Sequence, residues 1–416
     1  SIMDKVPTIY DVIVIGGGAS GMMAGAISGA KGKKVLILEK NKDLGEKLKI
    51  SGGGRCNITN AEKDIRKFLA NYGNAEQFLY SSFSKFSSKN TFDFFENLGL
   101  PLVVQARQRA FPNTEKAHDV YKVLVNALKS ANVEIKTSGK VTKILSNKDD
   151  ITGVVAGEKI YKAKSYILAT GGVSHPETGS TGDGFRWLKD LGHKVLNPTP
   201  TIVPLAVSDE WIKSLAGVSM SFMKITFYVD GVKKFMKKGK ILFTHFGLSG
   251  PLILNSAKTV ADLLHTGIVT ATIDAFPDTD LGSLEKRIIN VFDINKNKML
   301  KNVFDQIAPE GTSFAILSLV SVDPDKKVHS VTKEERKEIV QILKSLPVNI
   351  SGLMGFDRAV VADGGVSLDE IDTKTMRSKL YNNLYITGDL LHINRPSGGY
   401  SLQLCWTTGY VAGENA

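Results

Sequence analysis

The chain has 416 residues, of which 42% are hydrophobic and 23% charged, and a net charge of +11. That length exceeds what one hydrophobic core usually serves, so two or three domains are expected, with the composition of an ordinary soluble globular protein. No apolar run is long enough to cross a bilayer, no signal segment opens the chain, and two cysteines, Cys56 and Cys405, are too few for a disulfide framework or a metal-ligand pattern. A reducing cytoplasm therefore fits best, and Ser1-Ile2 ahead of Met3 read as a remnant before a native start. The lysines are dispersed, and their densest cluster, Lys233-Lys234-Phe235-Met236-Lys237-Lys238, reads as a hairpin edge. A solvated basic surface that attracts anionic cofactors is favoured over a nucleic-acid or membrane partner.

In chain order, Asp11 to Ile15 is a short buried strand, Ala19 to Ala30 a helix of small residues closed by Gly32, and Val35 to Leu38 a second buried strand ending in Glu39. This β-α-β unit opens a doubly wound parallel sheet. Residues 61 to 98 read as mostly helical, with Phe68, Phe78, Phe83, Phe92 and Phe95 as anchors, and Ala117 to Ala131 as a further helix. Short strands follow at Val133 to Ile135, Val141 to Leu145, Ile151 to Ala156 and Ser165 to Ala169, then a helix from Gly184 to Leu191. After Asn197-Pro198-Thr199-Pro200 the texture changes. Residues 202 to 275 alternate like an antiparallel sheet or small barrel, and 281 to 346 are mainly helical, with Thr332 and Glu335 as a capping box. Strands return at Ala359 to Ala362 and Leu384 to Thr387, and Ser401 to Gly413 is a final helix. The simplest architecture is one nucleotide-binding domain from both chain ends, 1–196 and 351–416, with an inserted domain at 197–350 whose first part, 197–279, is barrel-like and whose second, 280–350, is helical.

Gly16, Gly18 and Gly21 form G-x-G-x-x-G between the first strand and first helix. The first glycine permits the tight turn, the second lets a pyrophosphate approach the backbone, and the third lets helix and strand pack closely. Amides at Ala19 and Ser20 would face the phosphates, and Glu39 would accept hydrogen bonds from the adenosine ribose. A second loop, Ser51-Gly52-Gly53-Gly54-Arg55-Cys56-Asn57, separates FAD from NAD: its glycines admit backbone close to a flat ligand, Arg55 could meet a phosphate, and Asn57 could cap the helix that follows. Ala169-Thr170-Gly171-Gly172 ends a strand at the same sheet edge, and Asp183 is placed as a helix N-cap. Gly388-Asp389 follows another strand, with Asp389 placed for a ribitol hydroxyl. The amides of Tyr400, Ser401 and Leu402, after Gly399, could face the flavin's N1–O2 edge and stabilise negative charge there.

Those segments, with Lys40, Lys47, Thr59-Asn60, Phe111-Pro112, Thr178 to Gly184, Phe243 to Pro251 and Asp363 to Val366, make the chain resemble the BaiN/RdsA-like (YhiN-like) bacterial flavoproteins over essentially its whole length. The resemblance implies an α/β fold: a Rossmann-like, two-dinucleotide-binding-type FAD domain of central parallel sheet plus β-meander, with an inserted β-barrel and helical domain. It also implies FAD as cofactor, held by the residues above together with Lys40, Lys47, Gly53, Gly54, Cys56 and Val141. The sequence departs from the family at Asp389, where Glu is usual, at Ser401, where Asn is common, and across His392-Ile393-Asn394-Arg395-Pro396, where Arg395 adds positive charge.

The expected activity is that of an oxidoreductase passing a hydride through FAD from NAD(P)H, bound transiently because there is one fingerprint, to a small organic acceptor such as a conjugated carbonyl compound. A flavin-dependent oxidase and a flavin-binding RNA-associated protein are the competing readings. No catalytic residue or metal set emerges. His245 reads as structural rather than as a proton donor, Cys56 as packing rather than redox-active, Tyr400 as packing, and His175, His193 and His265 show no partner pattern.

Overall fold

A computed structural model of the chain describes residues 8–172, 182–196, 203–264, 266–354, 364–395 and 399–416. The chain divides into two compact units: Ser1–Thr199 with His265–Gly267 and Val360–Ala416, and Pro200–Leu264 with Ile268–Ala359.

The first unit starts with β1 (Ile9–Ile15), α1 (Ala19–Ala30) and β2 (Val35–Leu38). Val12 to Ile15 and all of β2 are buried, as suits strands covered on both faces. After helices at Ile65–Ala70, Glu76–Lys85, Ser88–Asn97 and Ala117–Ser130, the chain adds β3 (Glu134–Lys136) parallel to β2. A meander follows: β4 (Val141–Ser146), β5 (Ile151–Ala156) and β6 (Lys159–Leu168). The sequence suggests a separate strand from Ser165, but β6 is continuous. Its first residues pair antiparallel with β5 (Tyr161↔Val154), and its remainder runs parallel to β1 from Lys162↔Ile9 to Leu168↔Ile15. Exposed residues at its start, including Lys159 and Ile160, hide this continuity in the hydropathy pattern. Next comes α2 (Asp183–Asp190). Its N-cap is Gly182, not Asp183; Asp183 stands inside the first turn, where its carboxylate favours the helix dipole and meets Arg186 at 2.8 Å.

The second unit is built on a closed barrel: β7 (Leu205–Val207), β8 (Ser219–Val229), β9 (Val232–Phe243), β10 (Gly247–Ser249), β11 (Val269–Asp274) and β12 (Leu346–Leu353), in the order β7-β10-β9-β8-β11-β12. A helix, α3 (Pro251–Leu264), lies between β10 and β11. The expectation of helix through residue 350 is corrected here. The helical segment ends with α4 (Lys333–Lys344), opened by the Thr332–Glu335 capping box, and is followed by β12. Leu346, Val348 and Ile350 are buried in alternation, and β12 pairs with both β11 (Thr270↔Asn349) and β7 (Leu205↔Leu353). Without β12 the barrel would keep an open edge, so the helices sit between barrel strands and the unit extends past 350.

The chain re-enters the first unit with β13 (Leu384–Ile386), parallel to β6. The parallel sheet is therefore ordered β3-β2-β1-β6-β13. From β1 the chain grows to one side through β2 and to the other through β6, so the switch point of the sheet lies where β1 and β6 end.

The last helix, α5 (Tyr400–Asn415), packs on α1 with almost no side chain between them. A Cβ on Gly409 would stand 2.5 Å from Ser20 O, and one on Gly413 2.7 Å from Ala24 O. Ser28 Oγ donates to Gly413 O at 2.7 Å. Matching residues advance together, so the helices run parallel, and α5 starts about 12 Å ahead of α1 along their shared axis at 1.5 Å per residue. Gly409→Ala is expected to wedge them apart and cost about 1–3 kcal/mol, as overpacking does. Urea denaturation measures this, and an unchanged midpoint would contradict the close seating.

Candidate functional site

The fingerprint loop sits at the sheet's switch point. Gly16 has φ +107°, and a Cβ there would be 2.4 Å from Ala169 O, so the ends of β1 and β6 meet backbone to backbone. The Ala169 N–H donates to Ile15 O at 2.8 Å. At Gly18 a Cβ would meet nothing within 4 Å. Open space therefore lies over the start of α1, where the amides of Ala19, Ser20 and Gly21 lack intrahelical acceptors and the dipole favours an anion.

Glu39 is buried and fixed from both oxygens: Gly17 N–H donates to Oε1 at 3.0 Å and Asn41 N–H to Oε2 at 2.8 Å. An ionised carboxylate keeps further lone pairs for hydroxyl donors. Ser138 N–H bonds Asn41 O and Gly139 N–H bonds Glu39 O, which carries the segment leading to Val141, the buried first residue of β4, past Glu39. Lys40 reaches Asp183 at 3.7 Å.

Across the sheet, Thr170 Oγ1 is buried with no hydrogen-bond partner among the described residues, and a Cβ on Gly171 would point into open space. A buried orphan hydroxyl is costly unless a ligand satisfies it. Thr387 Oγ1 donates to Ser20 Oγ at 2.9 Å and Gly388 N–H to Thr408 Oγ1 at 2.9 Å, tying the end of β13 to both helices. Asp389 follows, flanked by Lys47 Nζ at 2.8 Å and Arg395 Nε at 3.1 Å. Burial alone would lower the Lys47 ammonium, but the Asp389 charge more than offsets it and holds the group above its ordinary value.

The second loop curls through positive φ at Gly52, Gly53 and Gly54 and also at Cys56 (φ +61°). Ser51 Oγ donates to Leu48 O at 2.6 Å and Cys56 N–H to Ser51 O at 3.0 Å. One expectation changes here. Asn57 caps no helix: with its amide nitrogen toward the carbonyls it donates to Thr59 O and Ala110 O and accepts from Gly399 N–H, while the next helix starts at Ile65 under Asp64. The guanidinium of Arg55 lies over the Phe111 ring at 4.1 Å and meets Gln105 Oε1 at 2.7 Å and Glu115 at 3.3 Å, while its buried Nε has no hydrogen-bond partner among the described residues. The Cys56 thiol is fully buried and burial pushes it up to about 12, which suits packing and not thiolate chemistry.

Gly399 joins this loop to α5. It has φ +100°, and a Cβ would fall 2.2 Å from Thr59 O. Sequence reasoning assigned no role to Gln403, yet it organises the junction: its Oε1 accepts from Thr59 Oγ1 (2.6 Å) and Thr91 Oγ1 (2.8 Å), and its Nε2 donates to Thr407 Oγ1 (2.9 Å). A glutamine three residues into a helix carries no pattern that distinguishes it. Tyr400 packs edge-on against Phe68 at 4.9 Å, and its carbonyl accepts from Tyr72 Oη at 2.6 Å. The amides of Tyr400, Ser401 and Leu402 are thereby presented as the free N-terminus of a 16-residue helix.

Other singled-out residues lie elsewhere. His245 is exposed on the turn between β9 and β10. His193 is buried with Nδ1 3.2 Å from Glu370 and Nε2 2.7 Å from Ser378 Oγ, a structural network with no local sequence pattern. His175, Thr178 to Thr181, His265, the strand expected at Ala359 to Ala362, Asp363 and residues 396–398 lie outside the described residues.

Two outcomes are expected. Gly399→Ala should break the Thr59 contact and release FAD, read as loss of the visible flavin spectrum after gel filtration; retention of full flavin would contradict the junction's role. Burial lowers the His193 pKa while Glu370 opposes this, so the unfolded chain takes up the proton first. The stability contribution is present above the ordinary histidine value of about 6.5 and fades as pH falls below it. His193→Gln should accordingly flatten the stability loss between about pH 7 and 5; an unchanged slope in urea titrations at each pH would refute it.

The model of the HI0933-like protein Rossmann domain family matches residues 10–415. The chain is 28% identical over 408 residues to the 3-dehydro-bile acid delta(4,6)-reductase of Clostridium scindens, covering 97% of this chain and 98% of that protein. It is 25% identical over 413 residues to the ribosomal RNA dihydrouridine synthase of Escherichia coli, covering 98% of each. Its fold is like that of the 3-ketosteroid-delta4-(5alpha)-dehydrogenase from Rhodococcus jostii, with a TM-score of 0.53 at 14% identity over 100% of this chain and 98% of that one. A flavocytochrome c3 fumarate reductase gives a TM-score of 0.52 at 18% identity over 98% of this chain and 78% of that one. Among the described residues no helix is long and apolar enough to cross a membrane. The chain belongs to the HI0933-like Rossmann domain family and is an FAD-dependent oxidoreductase.

Proposed function

We propose that the enzyme reduces a carbon–carbon double bond conjugated to a carbonyl, with NAD(P)H as the electron donor. The observation that carries this reading is chemical. One relative by name reduces delta(4,6) bonds of a 3-dehydro-bile acid, and another by name makes dihydrouridine in ribosomal RNA. A 3-oxo-4,6-diene and a uracil ring share one reducible element, an alkene polarised by a carbonyl. The reaction adds hydride to the carbon remote from the carbonyl and a proton to the nearer one, and the nicotinamide is oxidised.

In this reading FAD, when bound, supplies the two-electron carrier between donor and alkene. The chain's own residues position it. The start of α1 binds the pyrophosphate, Glu39 takes the adenosine ribose, and Thr170 Oγ1 and Asp389 are available to hydroxyl and phosphate groups between. The free amides at the start of α5 place partial positive charge where the reduced ring system is most negative. The stagger of about 12 Å between the two helix starts, at 1.5 Å per residue, leaves room for the chain that joins pyrophosphate to flavin. Lys47 and Arg395 both stand against Asp389, which places two cations beside one carboxylate at this point of the site.

Anaerobic stopped-flow mixing of the holoenzyme with NADH and NADPH should bleach the flavin band. Adding a 3-oxo-4,6-diene steroid acid or a uridine-containing RNA should restore it, with the saturated product found by mass spectrometry. Reoxidation by oxygen alone, with neither alkene consumed, would favour an oxidase instead.

A further inference from the structure

We infer that the β8–β9 hairpin of the barrel is a docking surface for the phosphate backbone of RNA, so that the reducible ring is a pyrimidine carried on RNA. For its chemistry this rests on the conjugated-alkene reading above; for the partner it rests on the hairpin alone.

Strand β9 carries Lys233, Lys234, Lys237, Lys238 and Lys240, all exposed. From residue 231 to residue 261 the sequence contains no aspartate or glutamate. Among the described residues none of these five lysines makes an ion pair. On one side β9 pairs with β8 from Val232↔Val229 to Leu242↔Ser219. On the other side β10 reaches only Leu242 and Phe243. Residues 232–238 are therefore an open strand edge among the described residues, with lysines on both faces. The register slips where Tyr228 faces Lys233 and Phe227 faces Phe235, which leaves Lys234 as the extra residue of a bulge. Phe235 stacks on buried Phe227 at 4.5 Å, pinning the arm to the barrel wall. Near its base Phe222 is 44% exposed, a ring available for base stacking.

The plain alternative is a guard against edge-to-edge pairing, for which a bulge and one or two lysines suffice. Five lysines on one strand, within a run from 231 to 261 that holds no aspartate or glutamate, exceed that need and concentrate positive charge along a ribbon. Such a ribbon tracks a polyanion and draws affinity from released counterions. Composition alone reads as a dispersed, solvated basic surface; placement on an unpaired edge is what changes the reading.

The test uses the FAD-loaded full chain, a uridine-rich single-stranded RNA, deproteinised ribosomal RNA and phosphatidylserine vesicles. Lys233, Lys234, Lys237 and Lys238 are replaced together by Gln, or by Arg as a charge-keeping control, and retained flavin confirms folding. The Gln variant should bind RNA at least tenfold more weakly at low salt, and its log–log salt slope should be shallower by about 2–3, at roughly 0.7 per lost phosphate contact on a single strand. The Arg variant should match the parent, and both should still reduce a small conjugated ketone. RNA binding unchanged in the Gln variant, or lysine-dependent binding to vesicles with none to RNA, would overturn the inference. Lysine-dependent RNA binding without dihydropyrimidine formation would leave docking standing and overturn the pyrimidine as the reducible ring, whereas failure to reduce any conjugated alkene would remove the reaction proposed above, so the two fail separately.

Discussion

The cofactor site depends on α1 and α5 lying in backbone contact. Ser20 and Ala24 of the first helix face Gly409 and Gly413 of the last, though nearly the whole chain separates them in sequence. Because the helices are parallel, both N-termini point toward the same edge of the sheet, where β1, β6 and β13 also end. One contact thus fixes the direction and spacing of two anion-favouring helix starts. It also explains the glycines in both helices, which would be poor choices for an isolated helix. Their value is geometric: any larger side chain would separate the two helix starts.

Much of this organisation is legible in the sequence because local rules agree with the fold. Asp11 to Ile15, the glycine turn and Val35 to Leu38 are short elements whose burial, turn chemistry and spacing all give the same answer; the first helix and second strand have the expected bounds, and the first strand begins two residues earlier, at Ile9. The less legible parts are non-local. Strand β6 serves two sheets, so its solvent-facing half looks like a different element from its buried half. Strand β12 closes a barrel begun far earlier in the chain, and nothing within Leu346 to Leu353 announces which edge it will meet. Side-chain roles follow the same division. Glu39 can be found by its position after a strand, whereas Gln403 draws its meaning from Thr59 and Thr91, which only the folded chain brings to it. Asn57 shows the converse: its type invites a helix cap, and tertiary neighbours have taken it.

The two positive features of the molecule differ in physical kind. Lys47 and Arg395 are tucked against Asp389 inside the first unit, with the Arg395 side chain 1% exposed. Such charges are held by a partner, are little screened by salt, and are costly to leave uncompensated. The β9 lysines are solvated, unpaired and screened within about 8 Å at physiological ionic strength. The first arrangement suits a fixed anion that belongs to the protein. The second suits a mobile polyanion that must arrive and leave.

That difference gives the net charge of +11 a structural meaning that composition could not. A uniformly basic surface would attract any anion without direction, whereas a run of lysines along one strand edge presents a line of charge whose spacing, about 3.4 Å per residue, repeats on the scale of a nucleic-acid backbone. A free acid substrate carries a charge or two and gains little from such a line. A nucleic acid gains with every lysine it meets, and under the docking inference that repeated gain, not any single contact, would favour RNA over a free acid.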